Sequence, residues 1–224
     1  MSDETDLRRS YVLERIRGAR RPGGAIPTER AGVRTRARLS FGQERLWFLE
    51  QLVPGTNLLH ETFLLRLRGP LDRAALARAI AAIVRRHDVL RTRFVEHDGT
   101  PAQIVDPDAT VELRTVGEFR GVDPDCDDAF AAEVRAIAAQ PFELDRAPLM
   151  RAVLFELADD DSALLVVNHH LVSDGWSRTI LLRELAALYR AEHDGTAAGL
   201  APLSSQYADV AEAQRAARQW LAQG

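Results

Sequence analysis

The sequence predicts an α/β fold of the α+β kind, a two-layer sandwich in which a mixed sheet packs against helices. Apolar stretches with strand-like alternation are interspersed with stretches of 3.6-residue periodicity. Two turn signals, Asp98-Gly99 and Asp159-Asp160-Asp161, join strand-like neighbours in hairpin fashion. No regular βαβ rhythm runs through the chain, which argues against a doubly wound sheet.

The elements follow in order. Residues 7–20 have the pattern of a short, arginine-rich helix with Leu7, Val12, Leu13 and Ile16 as apolar positions. Residues 21–38 read as a linker, because Pro22, Gly23, Gly24, Pro27 and Gly32 break any regular element. The compact domain is expected over 39–224, leaving 1–38 as a docking element or a disordered leader. Ser40-Phe-Gly-Gln43 is a capping-box pattern opening a helix with Leu46, Trp47, Leu49 and Leu52. Trp47 reads as core rather than as a surface site beside Arg45. Phe63 to Leu67 alternates as a strand and stops at Gly69-Pro70. Asp72 can cap a helix whose buried stripe is Leu76, Ile80, Ile83 and Val84. Strands are expected at Val89–Val95, Ala102–Val105, Val111–Val116, Met150–Leu157 and Ala163–Asn168. Helices are expected at Asp127–Ala139, Trp176–Tyr189 and Ser205–Leu221.

Composition narrows the function. The 224 residues carry 29 basic and 33 acidic side chains, a net charge of −4, with 46% hydrophobic residues. That mild acidity argues against nucleic-acid and membrane-surface binding. Every basic residue is arginine, so Schiff-base and P-loop lysine chemistry are excluded. Cys126 stands alone among Asp123, Asp125, Asp127 and Asp128. Anionic neighbours disfavour a thiolate nucleophile, and the residue reads as a reduced cytoplasmic thiol. No apolar run reaches the length of a membrane span. Gly195 and Gly199 lack the spacing of a phosphate-binding loop.

The chemistry concentrates in Val167-Asn-His-His-Leu-Val-Ser-Asp-Gly-Trp-Ser177. An apolar strand delivers His169 and His170 at its end, and a turn with Asp174 and Gly175 leads into a helix. Adjacent strand residues point to opposite faces, so only one histidine faces a given site. An imidazole with an ordinary pKa near ~6.5 can hold or accept a proton at neutral pH. Asp174 can orient that ring or pair with an arginine, and Gly175 can permit a backbone approach closed to other residues. Spacing alone leaves catalysis and a hydrogen-bonded structural pair as equal alternatives. Metal binding is not expected, because strand alternation splits the pair and no third nitrogen or sulfur ligand lies nearby. His87, within Arg85-Arg-His-Asp-Val-Leu-Arg-Thr-Arg93, either caps a helix end or lies beside an arginine that pairs with Asp174.

Four segments in order resemble the core motifs of the condensation domain of nonribosomal peptide synthetases, which has the chloramphenicol acetyltransferase-like fold. Ser40-Phe-Gly-Gln-Glu-Arg-Leu-Trp-Phe-Leu49 is similar to the first motif and Arg86-His-Asp-Val-Leu-Arg-Thr-Arg-Phe94 to the second. Asn168-His-His-Leu-Val-Ser-Asp-Gly-Trp-Ser177 is similar to the third and Tyr207-Ala-Asp209 to the fourth. Pro141-Phe-Glu-Leu and Ala147-Pro-Leu also fall where the family has similar residues. Asn168 stands where methionine is common, and Leu58-Leu-His60 where many members have a Tyr-Asn pair.

The resemblance implies amide formation between a carrier-bound acyl or peptidyl thioester and a carrier-bound aminoacyl acceptor. It assigns His170 to the reacting amine, as base or positioner, with His169, Asp174 and Gly175 shaping the loop. Arg91 is expected to salt-bridge Asp174, and Trp176 and Ser177 to support the site. No cofactor is expected to bind directly; phosphopantetheine arms of donor and acceptor carrier domains would enter the site. The chain is expected to be the N-terminal lobe only, acting with a C-terminal lobe and adjacent synthetase modules and poorly active alone. The other readings are a carrier-docking module and an acyltransferase acting on a hydroxyl.

Overall fold

The computed structural model describes residues 35–223. The helix expected at 7–20 and most of the linker expected at 21–38 lie outside those residues. Within them the element order is β1 (Arg36–Arg38), α1 (Phe41–Leu52), β2 (His60–Arg68) and α2 (Arg73–Arg86). A 3₁₀ turn (Asp88–Arg91) leads to β3 (Thr92–His97), β4 (Thr100–Val105), β5 (Leu113–Val116) and α3 (Asp128–Ala139). Then follow β6 (Met150–Ala158), β7 (Asp161–His169), α4 (Gly175–Asp194) and α5 (Tyr207–Gln223).

The main sheet has strand order β2-β7-β6-β5, and a smaller sheet has order β1-β4-β3. β5 runs parallel to β6, while the other pairings are antiparallel. The sheet is therefore mixed, as the missing βαβ rhythm implies. One face of the main sheet, through Ala152, Leu154, Leu164 and Val166, packs with Leu76, Ile80 and Ile83 of α2 and Leu181 and Leu185 of α4. The other face, through Val153, Phe155, Leu165 and Val167, packs with Phe130 and Ile137 of α3. β7 accordingly reads as a continuous apolar run, because both of its faces are covered.

Local signals account for most boundaries. Ser40 Oγ accepts the Gln43 amide at 3.1 Å, and Gln43 Oε1 accepts the Ser40 amide at 3.0 Å, completing the capping box of α1. Asp72 Oδ1 accepts the Ala75 amide at 2.9 Å and caps α2. Asp98 and Gly99 both have positive φ, at 50° and 73°, and His97 pairs with Thr100 across a two-residue loop. That is the geometry a type I′ hairpin needs.

Two expectations are corrected. The strand expected from Val89 begins only at Thr92; Asp88–Arg91 forms a 3₁₀ turn instead. Side-chain bonds favour the turn: Thr92 Oγ1 donates to the Asp88 carbonyl at 2.8 Å, and Arg91 donates to the Val84 and Arg85 carbonyls at 3.2 Å. Residues 36–38, read as linker, form β1. They pair with β4 and are pinned by Gln103, which donates to the Arg38 carbonyl at 2.8 Å. Glu212 of α5 also accepts the Arg38 amide at 2.9 Å. Long-range partners create this strand, and local sequence does not announce them.

Candidate active site

β7 ends on His169, and the chain turns through Leu171–Asp174 into α4. The turn closes with the Val172 amide donating to the His169 carbonyl at 3.0 Å. Gln43, the capping-box residue of α1, donates its side-chain amide to the Leu171 carbonyl at 3.1 Å. The first and third sequence motifs are thereby joined.

The two histidines have opposite environments. His169 is 1% exposed, and its Nδ1 accepts the Leu171 amide at 3.1 Å. A ring nitrogen that accepts carries no proton, so neutral His169 is protonated at Nε2. Glu50 Oε2 lies 3.5 Å from that Nε2, and neither atom has a hydrogen-bond partner among the described residues. Burial above all, then the nearby His60 and His170, lowers the His169 pKa to about 4. Burial also pushes the Glu50 carboxyl up. The pair is thus biased toward neutral forms. His60 of β2 lies opposite His169 in register, its ring 6.0 Å away and edge-on to Phe142 at 4.9 Å.

His170 is partly open, with 37% of its side chain exposed. Its amide donates to the Leu59 carbonyl at 2.7 Å, and its Nδ1 lies 2.7 Å from the Ser173 carbonyl oxygen. A carbonyl only accepts, so Nδ1 carries the proton and Nε2 keeps its lone pair. His170 lines a cleft of about 180 Å³ together with Gln43, Leu46, Ser173, Asp174 and Tyr207. A second, mostly apolar hollow of about 230 Å³ shares the Ser173, Ser177 and Tyr207 wall and continues past Ile180, Leu203 and Val210. Tyr207 is anchored by Ser40, its hydroxyl 2.8 Å from Ser40 Oγ.

Asp174 is the N-cap of α4. Its Oδ1 accepts both the amide and the hydroxyl of Ser177 at 2.7 Å. Those bonds, the hydroxyl's first, hold its carboxyl below the usual carboxylate range. The expected salt bridge from Arg91 to Asp174 does not form. Arg91 is held at the end of α2 by Asp88 Oδ1 at 2.5 Å and by the carbonyls of Val84, Arg85 and Pro107. Cap bonds take the aspartate and helix-end carbonyls take the arginine. Gly175 needs no special backbone shape: its φ is not positive, and an added Cβ would meet nothing within 4 Å among the described residues. Trp176 is 78% exposed, so its ring is not packed beneath the turn. Ser177 ties the turn to the helix.

Sequence reasoning missed Glu50, His60 and Glu61 as neighbours of the histidine pair. Glu61 Oε1 lies 3.5 Å from His170 Nδ1. Only the β2–β7 register, which sets His60 against His169 and Glu61 against Asn168, reveals the two β2 residues. No helix among the described residues is long and apolar enough to cross a membrane.

Comparison with known proteins bears on what this arrangement does. The family model described as Condensation domain matches residues 33–223. A linear gramicidin synthase polypeptide of Brevibacillus parabrevis is 42% identical over 183 residues, covering 82% of this chain and 2% of that protein. Phosphinothricin tripeptide synthetase PhsC of Streptomyces viridochromogenes is 41% identical over 213 residues, covering 92% of this chain and 19% of that protein. Among solved structures, the first condensation domain of the calcium-dependent antibiotic synthetase, in complex with a substrate analogue, superimposes with a TM-score of 0.74. It is 28% identical and covers 82% of this chain and 44% of that one. The X-domain from teicoplanin biosynthesis, solved in complex with OxyB, gives a TM-score of 0.74 at 30% identity, covering 88% of this chain and 41% of that one. The chain therefore spans less than half of these solved chains and a small part of the curated relatives.

Proposed function

Because the chain belongs to the condensation-domain family, we propose that it is the donor-side, N-terminal lobe of an amide-forming condensation domain. The observation that carries the reading is His170: its Nδ1 proton is held by the Ser173 carbonyl, and the ring lines an open cleft. In this reading, donor and acceptor carrier domains deliver their thioesters on phosphopantetheine arms. The acceptor amine attacks the donor carbonyl carbon. A C–N bond forms, the C–S bond breaks, and the amine proton passes to His170 Nε2. The departing thiolate of the donor arm takes a proton in turn. A histidine in this role contributes typically ~10²–10⁴ in rate. Asp174 caps α4 and fixes the turn that carries His170, while His169 seals the core behind it. A C-terminal lobe completes the site, and adjacent modules supply the carriers.

The test joins the chain to a C-terminal condensation lobe and supplies loaded donor and acceptor carriers, with product followed by mass spectrometry. The complete domain turns over, His170→Ala falls by roughly 100-fold or more, and the isolated chain gives little product. Full activity in His170→Ala contradicts the reading.

One observation favours a second reading. The X-domain, which shares this fold, was solved in complex with OxyB. A docking module would bind a partner with equal affinity before and after His170→Ala and would form no amide in the complete domain. Transfer to a hydroxyl acceptor in place of the carrier-bound amine marks the third reading, an O-acyltransferase.

A further inference from the structure

Glu61 sits on β2, opposite Asn168 in the β2–β7 register and one residue from the strand position facing His169. Its Oε1 reaches to 3.5 Å from His170 Nδ1, with both side chains partly buried. The same Nδ1 donates to the Ser173 carbonyl at 2.7 Å. The proton-bearing edge of the ring thus faces two acceptors, one a neutral dipole and one a full negative charge. The opposite edge, Nε2, is the one left to take a proton.

We propose that Glu61 is a positioning residue for His170, holding the ring by its Nδ1 edge and compensating the positive charge that appears when Nε2 is protonated. The proposal rests on His170 being the reacting base. A carbonyl alone fixes the tautomer but stabilises an imidazolium weakly; a carboxylate 3.5 Å away adds charge attraction that exists only in the protonated state. Among the described residues, the titratable groups that also lie near His170 include Asp174 at the cap of α4, His169 on β7 and Tyr207 of α5 across the cleft. Asp174 is bound to Ser177. α1 presents the uncharged Gln43 and Leu46 to the cleft. Glu61 is therefore the carboxylate placed against the ring edge itself.

The contact is testable in the chain as it stands. Diethyl pyrocarbonate acylates neutral imidazole, so carbethoxylation of His170, read by peptide mass spectrometry, reports its neutral fraction. Exposed His97 serves as an internal reference. Glu61→Gln preserves shape and removes charge. A partly exposed ion pair is worth a few-fold in an equilibrium. His170 in Glu61→Gln should therefore react about twofold faster than wild type at about pH 6 and equally at about pH 8. Equal rates at both pH values overturn the proposal.

In the complete domain, Glu61→Gln should lower kcat about threefold and move the acid limb of the pH–rate profile to lower pH. An unchanged profile beside an inactive His170→Ala overturns the role of Glu61 and leaves the function standing. A fully active His170→Ala overturns the function, whatever the carbethoxylation result.

Discussion

The two ends of the main sheet are built on different principles. At the end near the β6–β7 turn, charges are paired with one another: Arg66 with Asp161 at 2.7 Å, Arg73 with Glu156 at 2.5 Å, and Arg120 with Asp159. Beneath them Phe119, Phe130 and Phe155 form a trio of edge-on rings with centroids 5.0–5.8 Å apart. At the histidine end, the side-chain polar atoms Glu50 Oε2, Asn168 Nδ2 and Oδ1, His169 Nε2 and Ser173 Oγ are buried with no hydrogen-bond partner among the described residues. One end resembles an ordinary stable sheet. The other gives up stability to hold polar groups around a turn, as functional sites commonly do.

That contrast can be broken by mutation. Phe155→Ala, at the aromatic end, should cost about 3–5 kcal/mol in urea unfolding; a loss below ~1 kcal/mol would show that the trio is not the anchor described. At the other end the sign reverses. Asn168→Met removes two amide atoms that have no partner among the described residues and should be neutral to stabilising by about 1 kcal/mol. Destabilisation there would mean that the amide has partners or that the site cannot take the larger side chain.

Acid acts on the histidine end through His169. His169 is lowered to about 4 in the folded protein, against ~6.5 when unfolded. Between those values the unfolded chain binds the extra proton. Its contribution is therefore fully present above about pH 6.5 and is lost as pH falls toward about 4. From about pH 7 to pH 5 wild type should lose roughly 2 kcal/mol more than His169→Gln. The raised Glu50 carboxyl acts in the opposite sense, so only the difference between variants isolates the histidine. Equal losses would contradict the buried neutral ring.

Smaller effects come from the caps and the solvated pairs. Asp174→Ala removes the cap of α4 and should cost about 1 kcal/mol. Arg66→Ala should leave the urea midpoint within error, because exposed ion pairs contribute little.

The sequence made legible whatever is decided locally. The Ser40–Gln43 box, the Asp72 cap, the Asp98-Gly99 turn and the α2 stripe all depend on residues a few positions apart. The His-His-x-x-x-Asp-Gly segment was visible for the same reason. What remained hidden depends on register and long-range contact. β1 exists only against β4. The 3₁₀ turn at Asp88 is favoured by Arg91 and Thr92 over the strand that its apolar residues suggest. Arg91 and Asp174 were expected together, yet each is taken by groups nearby in the chain. Glu50 and Glu61 join the histidines only once α1 and β2 are folded against β7.

The adjacent histidines are held in opposite tautomers, one sealed and one open. Long-range ¹⁵N–¹H NMR of the histidine rings in the chain at about pH 7.5 tests this directly. His169 should carry its proton on Nε2 and His170 on Nδ1. The same tautomer at both residues, or the reversed assignment, would contradict the division of labour described.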